Sequence, residues 1–306
     1  MLRAWIVVAA LAAPWTANAA DPSGTITILE GDALVYRGTG RLHAAEGVRL
    51  VAGDILETAA STFAQVELPD QSVAQFGPST RVMLNAGTTK GKPERWLYIM
   101  DGWTKLTGAK HDPASGPAYD VRMPLLDIPA SPGVIVMRTS PAEVSLFVER
   151  GDVRVTERQA GAASAPVGLR MGDFYRRKAG GRGLTSPTTA QTFVNDMPRP
   201  FRDSLPMRGE RYRDRPVQPR EATEFGYADV ETWLKAEPAV RRPLMQRWRV
   251  KAREPAFRAA LVSNLSAHPE WDPILFPEKY KPKEPPPVRA ALAAGRPASA
   301  ASSVAP

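Results

Sequence analysis

The chain has 306 residues, 43% of them hydrophobic, with 40 Lys and Arg against 32 Asp and Glu for a formal charge of +8, and it contains 30 Pro and no Cys. At roughly 150 residues per domain, that length supports one sizeable core and a smaller second unit, and the positive charge is spread along the chain, so it favours anionic partners only weakly. The lack of Cys excludes disulfides, thiolate metal sites and a lipid-modified cysteine anchor.

Residues 1–19 read as a cleavable secretory leader. Arg3 precedes an apolar run from Ala4 to Ala13, followed by Pro14 and the small-residue end Ala17-Asn18-Ala19. The run is much shorter than the ~20 residues a spanning helix needs. The expected product is a periplasmic protein, soluble and without a transmembrane segment once the leader is removed.

Residues 24–184 carry short apolar alternations broken by Gly, Pro, Asp and Asn, the pattern of an antiparallel sheet with one buried face. In the clearest case Ala64, Val66 and Leu68 point one way, Gln65 and Glu67 the other, before the turn at Pro69-Asp70. Further strands are expected at Thr25 to Leu29, Ala33 to Arg37, Asp54 to Glu57, Val73 to Phe76, Arg81 to Leu84, Trp96 to Met100, Val134 to Met137, Val144 to Val148 and Val153 to Glu157. So many short strands imply a sandwich, a barrel or a coil of β-turns. Four Gly-Asp pairs, at 31–32, 53–54, 151–152 and 172–173, each precede a strand-like run. Calcium would need six to eight gathered oxygens, so the pairs read as tight turns, with Gly supplying positive φ and Asp capping.

Past Thr185 the composition shifts. Residues 185–220 form an Arg- and Pro-rich connector, and 221–277 a small helical unit. Its expected helices are Tyr227 to Ala236, Pro238 to Arg253 and Pro255 to Ala267, two of them opened by a first-turn Pro, with Pro243 placed to kink or delay the second. Residues 278–306 are Pro, Ala and Ser without periodicity, and disorder is expected there.

The segment Gly24 to Leu84 resembles the FecR family of ferric-citrate regulators. The resemblance rests on Val35-Tyr36-Arg37, on Val51-Ala52-Gly53-Asp54-Ile55-Leu56-Glu57-Thr58, on the alternating Ser61 to Leu68, on Asp70-Gln71-Ser72 and on Phe76-Gly77-Pro78-Ser79-Thr80-Arg81. A second block resembles Pro132-Gly133-Val134 to Thr139 and Glu149-Arg150-Gly151-Asp152-Val153, with Arg138-Thr139-Ser140 where the family has Arg-Gly-Thr and with Arg150 intruding before Gly151. The resemblance implies a periplasmic, mainly β domain that senses or binds a partner protein of the envelope, in signalling. Typical members carry an anti-sigma segment and one membrane helix before this domain; here a leader stands instead, so a direct relay across the membrane is not expected.

Catalytic patterns are sparse. His43, His111 and His268 have no metal-ligand spacing, and there is no nucleophile elbow or phosphate-cradling glycine loop. His268 reads as the cationic end of a helix. Asp54, Asp70 and Asp101 are the carboxylates from which an envelope hydrolase would draw its acid and base. Arg247, Trp248 and Arg249 form a basic and aromatic group suited to anions or glycans of peptidoglycan or lipopolysaccharide, the alternative being buried Trp and solvated Arg. The expectation is a non-enzymatic binding or sensing module with no cofactor and no metal, with no nucleic acid partner, since an exported protein seldom meets one.

Overall fold

A computed structural model describes residues 22–89, 92–109, 118–159 and 162–281. The leader at 1–19, His111 and the tail from 282 onward lie outside the described residues. The protein is mainly antiparallel β, a curled half-barrel sheet followed by short helices.

The strands in chain order are β1 (Gly24–Glu30), β2 (Ala33–Arg37), β3 (Gly40–His43), β4 (Arg49–Leu50), β5 (Ile55–Thr58), β6 (Phe63–Glu67), β7 (Val73–Phe76), β8 (Arg81–Thr89), β9 (Lys92–Thr107), β10 (Tyr119–Arg122), β11 (Leu126–Ile128), β12 (Val134–Thr139), β13 (Glu143–Arg150), β14 (Val153–Gln159), β15 (Ala162–Ala163), β16 (Val167–Leu169), β17 (Phe174–Lys178), β18 (Leu184–Ser186) and β19 (Arg220–Glu221). The helices are α1 (Gln191–Asp196), α2 (Gly209–Tyr212), α3 (Tyr227–Leu234), α4 (Pro238–Arg247), α5 (Pro255–Ser263) and α6 (Asp272–Leu275).

The strands form two limbs that share β9. The first limb runs β4, β1, β6, β7, β9, β12, β13, β17, β18. The second runs β19, β3, β2, β5, β8, β9, β10, β11, β14, β16, and β9–β10 is its parallel pair. Residues Lys92 to Asp101 of β9 belong to the second limb, and Gly102 to Thr107 to the first. The change of limb falls at Gly102, whose φ of 102° lies in the left-handed region. A Cβ there would stand 2.4 Å from Thr80 Cα, and the β8–β9 register shifts between Arg81 and Val82. Such a bulge bends a strand and increases its twist.

The Gly-Asp pairs are corners of this sheet. Their glycines all have φ between 80° and 92°, as tight turns with a Gly demand. In two of them the turn is built identically. Asp54 N–H donates to Val51 O while Val51 N–H donates to Asp54 Oδ2, and Asp173 with Arg170 repeats both bonds. The corners at 31–32 and 151–152 carry the chain from the first limb to the second, joining β1 to β2 and β13 to β14.

Between the limbs lies one core, to which the first contributes Ile26, Val66, Phe76, Leu106 and Leu146, and the second Val35, Leu56, Leu84, Leu97 and Val155. A sheet with one buried face was the expectation, but both limbs are covered on their outer faces as well. Tyr36, Ile55, Met83, Tyr98 and Met100 alternate with the inner residues and pack under the helical unit. Ile28, Phe63, Trp103, Val136 and Phe174 pack under Phe193 and Phe201 of the segment that follows β18. Runs such as Leu97-Tyr98-Ile99-Met100 are therefore apolar on both sides, as strands buried on two faces are. Ile26 and Ile28 face opposite ways despite their spacing of two, because the β1–β6 register shifts between them.

The segment 185–220 lies along the sheet as a strap, and its backbone is satisfied by side chains of the first limb. Lys105 Nζ donates to Phe201 O at 2.7 Å and Gln65 Nε2 to Pro206 O at 3.1 Å, while Glu67 accepts from the Arg208 and Gly209 amides. The polar face of β6 is thus covered and used: Gln65 is fully buried. A buried backbone must find partners, and these side chains supply them. Among the helices, the expected span 238–253 divides into α4 and a 3-10 turn at Arg249–Arg253, and α4 continues through Pro243. No helix among the described residues is long and apolar enough to cross a membrane.

Replacing Gly102 by Ala is expected to destabilise the fold by at least about 2 kcal/mol in chemical denaturation, combining left-handed strain with a backbone clash. Gly172→Ala, also left-handed but with open space around its Cβ, is expected to cost about 1 kcal/mol. Equal losses would show that the bend at Gly102 is not specially constrained.

Candidate functional site

The helical unit is fixed to the second limb by two indoles. Trp233 Nε1 donates to Glu57 Oε1 at 2.9 Å, and Trp248 Nε1 to Gly38 O at 3.0 Å. Both rings are fully buried, with Phe225 stacked at a tilt on Trp248 at 5.6 Å and edge-on to Tyr36 at 5.5 Å. Lys251 is also buried, its ammonium 4.8 Å from the Phe225 ring centre and paired with Glu254 at 2.8 Å.

These contacts settle where the basic and aromatic group sits. Trp248 has no exposed face on which a sugar ring could stack. Arg247 is half-buried, and its Nη1 donates to Gly53 O at the corner before β5. Arg249 opens the next turn and is exposed. The structure brings Arg247 and Arg249 to one surface and turns Trp248 inward.

The three aspartates occupy separate places. Asp54 is fully buried, held by Arg37 and by the Val51 amide of its own turn. Asp70 accepts from the Ser72 and Tyr119 amides and closes the β6–β7 turn. Asp101 lies opposite Arg81, which also faces Glu57, so two carboxylates share one guanidinium at 2.9 and 3.5 Å. Burial pushes both the Glu57 and the Asp101 carboxyl above the usual range, against the pull of Trp233 and Arg81 on Glu57 and of Arg81 on Asp101. Glu57 was not singled out in the sequence. Its signal is the cross-strand row Glu57, Arg81, Asp101, which exists only once β5, β8 and β9 are in register.

His268 is not the helix-end cation that its sequence position suggests. It is fully buried, its Nε2 lies 3.1 Å from Tyr227 Oη, and its Nδ1 has no partner. Burial holds its pKa below the ordinary value, which keeps the ring neutral. Among the described residues, no three His, Asp or Glu side chains gather in a way that could hold a metal ion.

The turns that carry the family resemblance are spent on the bend in β9. Thr58 Oγ1 donates to Gly77 O at 2.6 Å and accepts from Thr80 N at 2.8 Å, and Thr80 Oγ1 accepts from Trp103 N at 3.0 Å. Together they fix the β5–β8 end against the residue after Gly102.

No family model and no curated protein matches the sequence. Two crystal structures of a protein from Parabacteroides distasonis, provisionally described as an anti-sigma factor, are similar in part. They share 17% and 16% identity with this chain, with a TM-score of 0.37 in each case. The matched region covers 46% of this chain and 62% of theirs.

Truncating Trp248 to Ala is expected to destabilise the protein by about 3–5 kcal/mol, whereas Arg249→Ala should shift stability by no more than about 0.5 kcal/mol. Denaturant titrations of both variants check this. For His268, the unfolded ring takes a proton near 6.5 while the folded one resists, so stability from this group is complete above about 6.5 and is lost as pH falls below it. His268→Gln is expected to flatten that portion of the stability profile between pH 7 and 5; an unchanged profile would show that another group is responsible.

Proposed function

We infer that this chain is a non-enzymatic binding module of the bacterial envelope, exported by its leader to the periplasm, where it engages a partner protein in signalling. The FecR-like turns support the reading, because their Thr58, Gly77 and Thr80 serve to hold a rigid β frame rather than to present reactive groups.

The observation that carries it is the end of the first limb. β18 pairs with β17 on one side, and its other edge pairs with no described strand. Leu184 in that strand is 67% exposed. An open edge with an exposed apolar side chain is a template for strand addition by another protein, and a partner joining there would extend the sheet that ends in the strap.

Photo-crosslinking from position 184 in intact cells tests the reading. A discrete protein adduct is expected, together with a mature amino terminus at Ala20 by mass spectrometry, and Leu184→Asp should reduce capture at a neighbouring crosslinker at least tenfold. A product that keeps its leader in the cytosol, or the lack of any protein adduct from residues 184–186, would overturn it.

A further inference from the structure

A cleft of about 610 Å³ lies where the 3-10 turn after α4 meets α5 and α6. Arg247, Arg249, Arg253 and Arg258 line it, and no carboxylate does. Four other clefts among the described residues each carry at least one acid: Glu143 and Asp196, Glu67 and Glu210, Asp152, and Asp70. The lining of this cleft differs from those four in carrying arginines and no acid.

The four guanidinia divide into two kinds. Arg247 and Arg258 are half-buried and anchored by backbone carbonyls, Arg247 on Gly53 O and Arg258 on Leu275 O, with Arg258 also 5.9 Å from the Phe276 ring centre. Each uses one terminal nitrogen in that bond and retains other N–H donors. Arg249 and Arg253 are exposed and, among the described residues, have neither hydrogen bond nor ion pair. They stand at the two ends of the 3-10 turn Arg249–Arg253, and both line the cleft. Burial disfavours the charged form of Arg247, only partly offset by the Asp54 carboxylate on its sheet side, and an anion entering the cleft would favour the charged form further.

We propose that this cleft binds a phosphate group, with Arg247 and Arg258 as preset walls and Arg249 and Arg253 closing over the anion. Planar guanidinium forks match phosphate oxygens two at a time, and several of them around one group select a multiply charged oxyanion over chloride or a lone carboxylate. Buried Trp248 takes no part as a stacking platform; it holds the turn that presents Arg247 and Arg249. The phosphate could be free or could belong to a lipid headgroup, and the two share this chemistry.

The test uses the mature chain, with inorganic pyrophosphate as the soluble probe in calorimetry and vesicles of phosphatidylcholine with and without phosphatidylglycerol as the lipid probe. Arg249→Gln with Arg253→Gln is compared with Arg150→Gln plus Arg154→Gln, two exposed arginines elsewhere that remove the same charge. Pyrophosphate is expected to bind the wild type and the control pair alike and the cleft pair at least tenfold more weakly, with melting temperatures unchanged. Vesicle binding lost in the same pair would assign the phosphate to a headgroup, and binding confined to pyrophosphate would assign it to a free anion. Equal weakening in both pairs, which reports net charge alone, or no pyrophosphate binding at millimolar concentration, would overturn the proposal.

Discussion

The fold depends on a single strand that serves two sheets. β9 pairs with β8 and β10 along its first part and with β7 and β12 along its last, so the angle between the limbs is set where it bends. At that point a side chain is excluded by Thr80, and the hydroxyls of Thr58 and Thr80 tie the neighbouring turns to Trp103. The inner core can close only because this bend faces Phe76 and Leu106 of one limb toward Val82 and Leu97 of the other. Burial supplies the driving force, but it is non-directional; the bend gives it a direction.

Covering the outer faces is a second consequence of that geometry. Each limb is apolar outside as well as inside, and the chain covers the first with a strap and the second with helices. The two coverings are chemically different. The strap has little regular structure of its own, so its carbonyls and amides rely on Gln65, Glu67 and Lys105 of the sheet beneath. The helices satisfy most of their own backbone and dock by aromatic packing, by two indole hydrogen bonds and by side-chain bonds such as Arg247 to Gly53 O, Arg41 to Asp229 and Arg158 to Glu237.

Much of the β frame was legible in the chain itself. Period-two runs placed β1, β2, β5 to β9 and β12 to β14, and the Gly-Asp pairs marked corners that the structure contains. The strand-like run after Gly172-Asp173 is β17, whereas β3, β4, β10, β11, β15, β16, β18 and β19 were not legible, because runs of two to four residues carry little period and form against a partner already in place. The same limit applies to sites. Arginine and tryptophan at 247 to 249 could be read as a surface group, but which of them faces inward depends on where the 3-10 turn begins. The opposition of Arg81 to both Glu57 and Asp101 is a property of register and has no local signature. His268 follows the same limit: its place after the 255–267 helical pattern suggests a helix-end cation, whereas in space the ring lies against buried Tyr227.

The docking of the helical unit onto early strands also bears on how the chain is made. Tyr36, Ile55, Met83, Tyr98 and Met100 have emerged from the ribosome long before Phe225 and Trp248, which cover them. At ~5–20 residues per second, the interval is on the order of ten seconds. For that time these aromatic and methionine side chains lack the residues that will cover them, and exposed apolar surface of this kind is what chaperones capture and what aggregates when they do not.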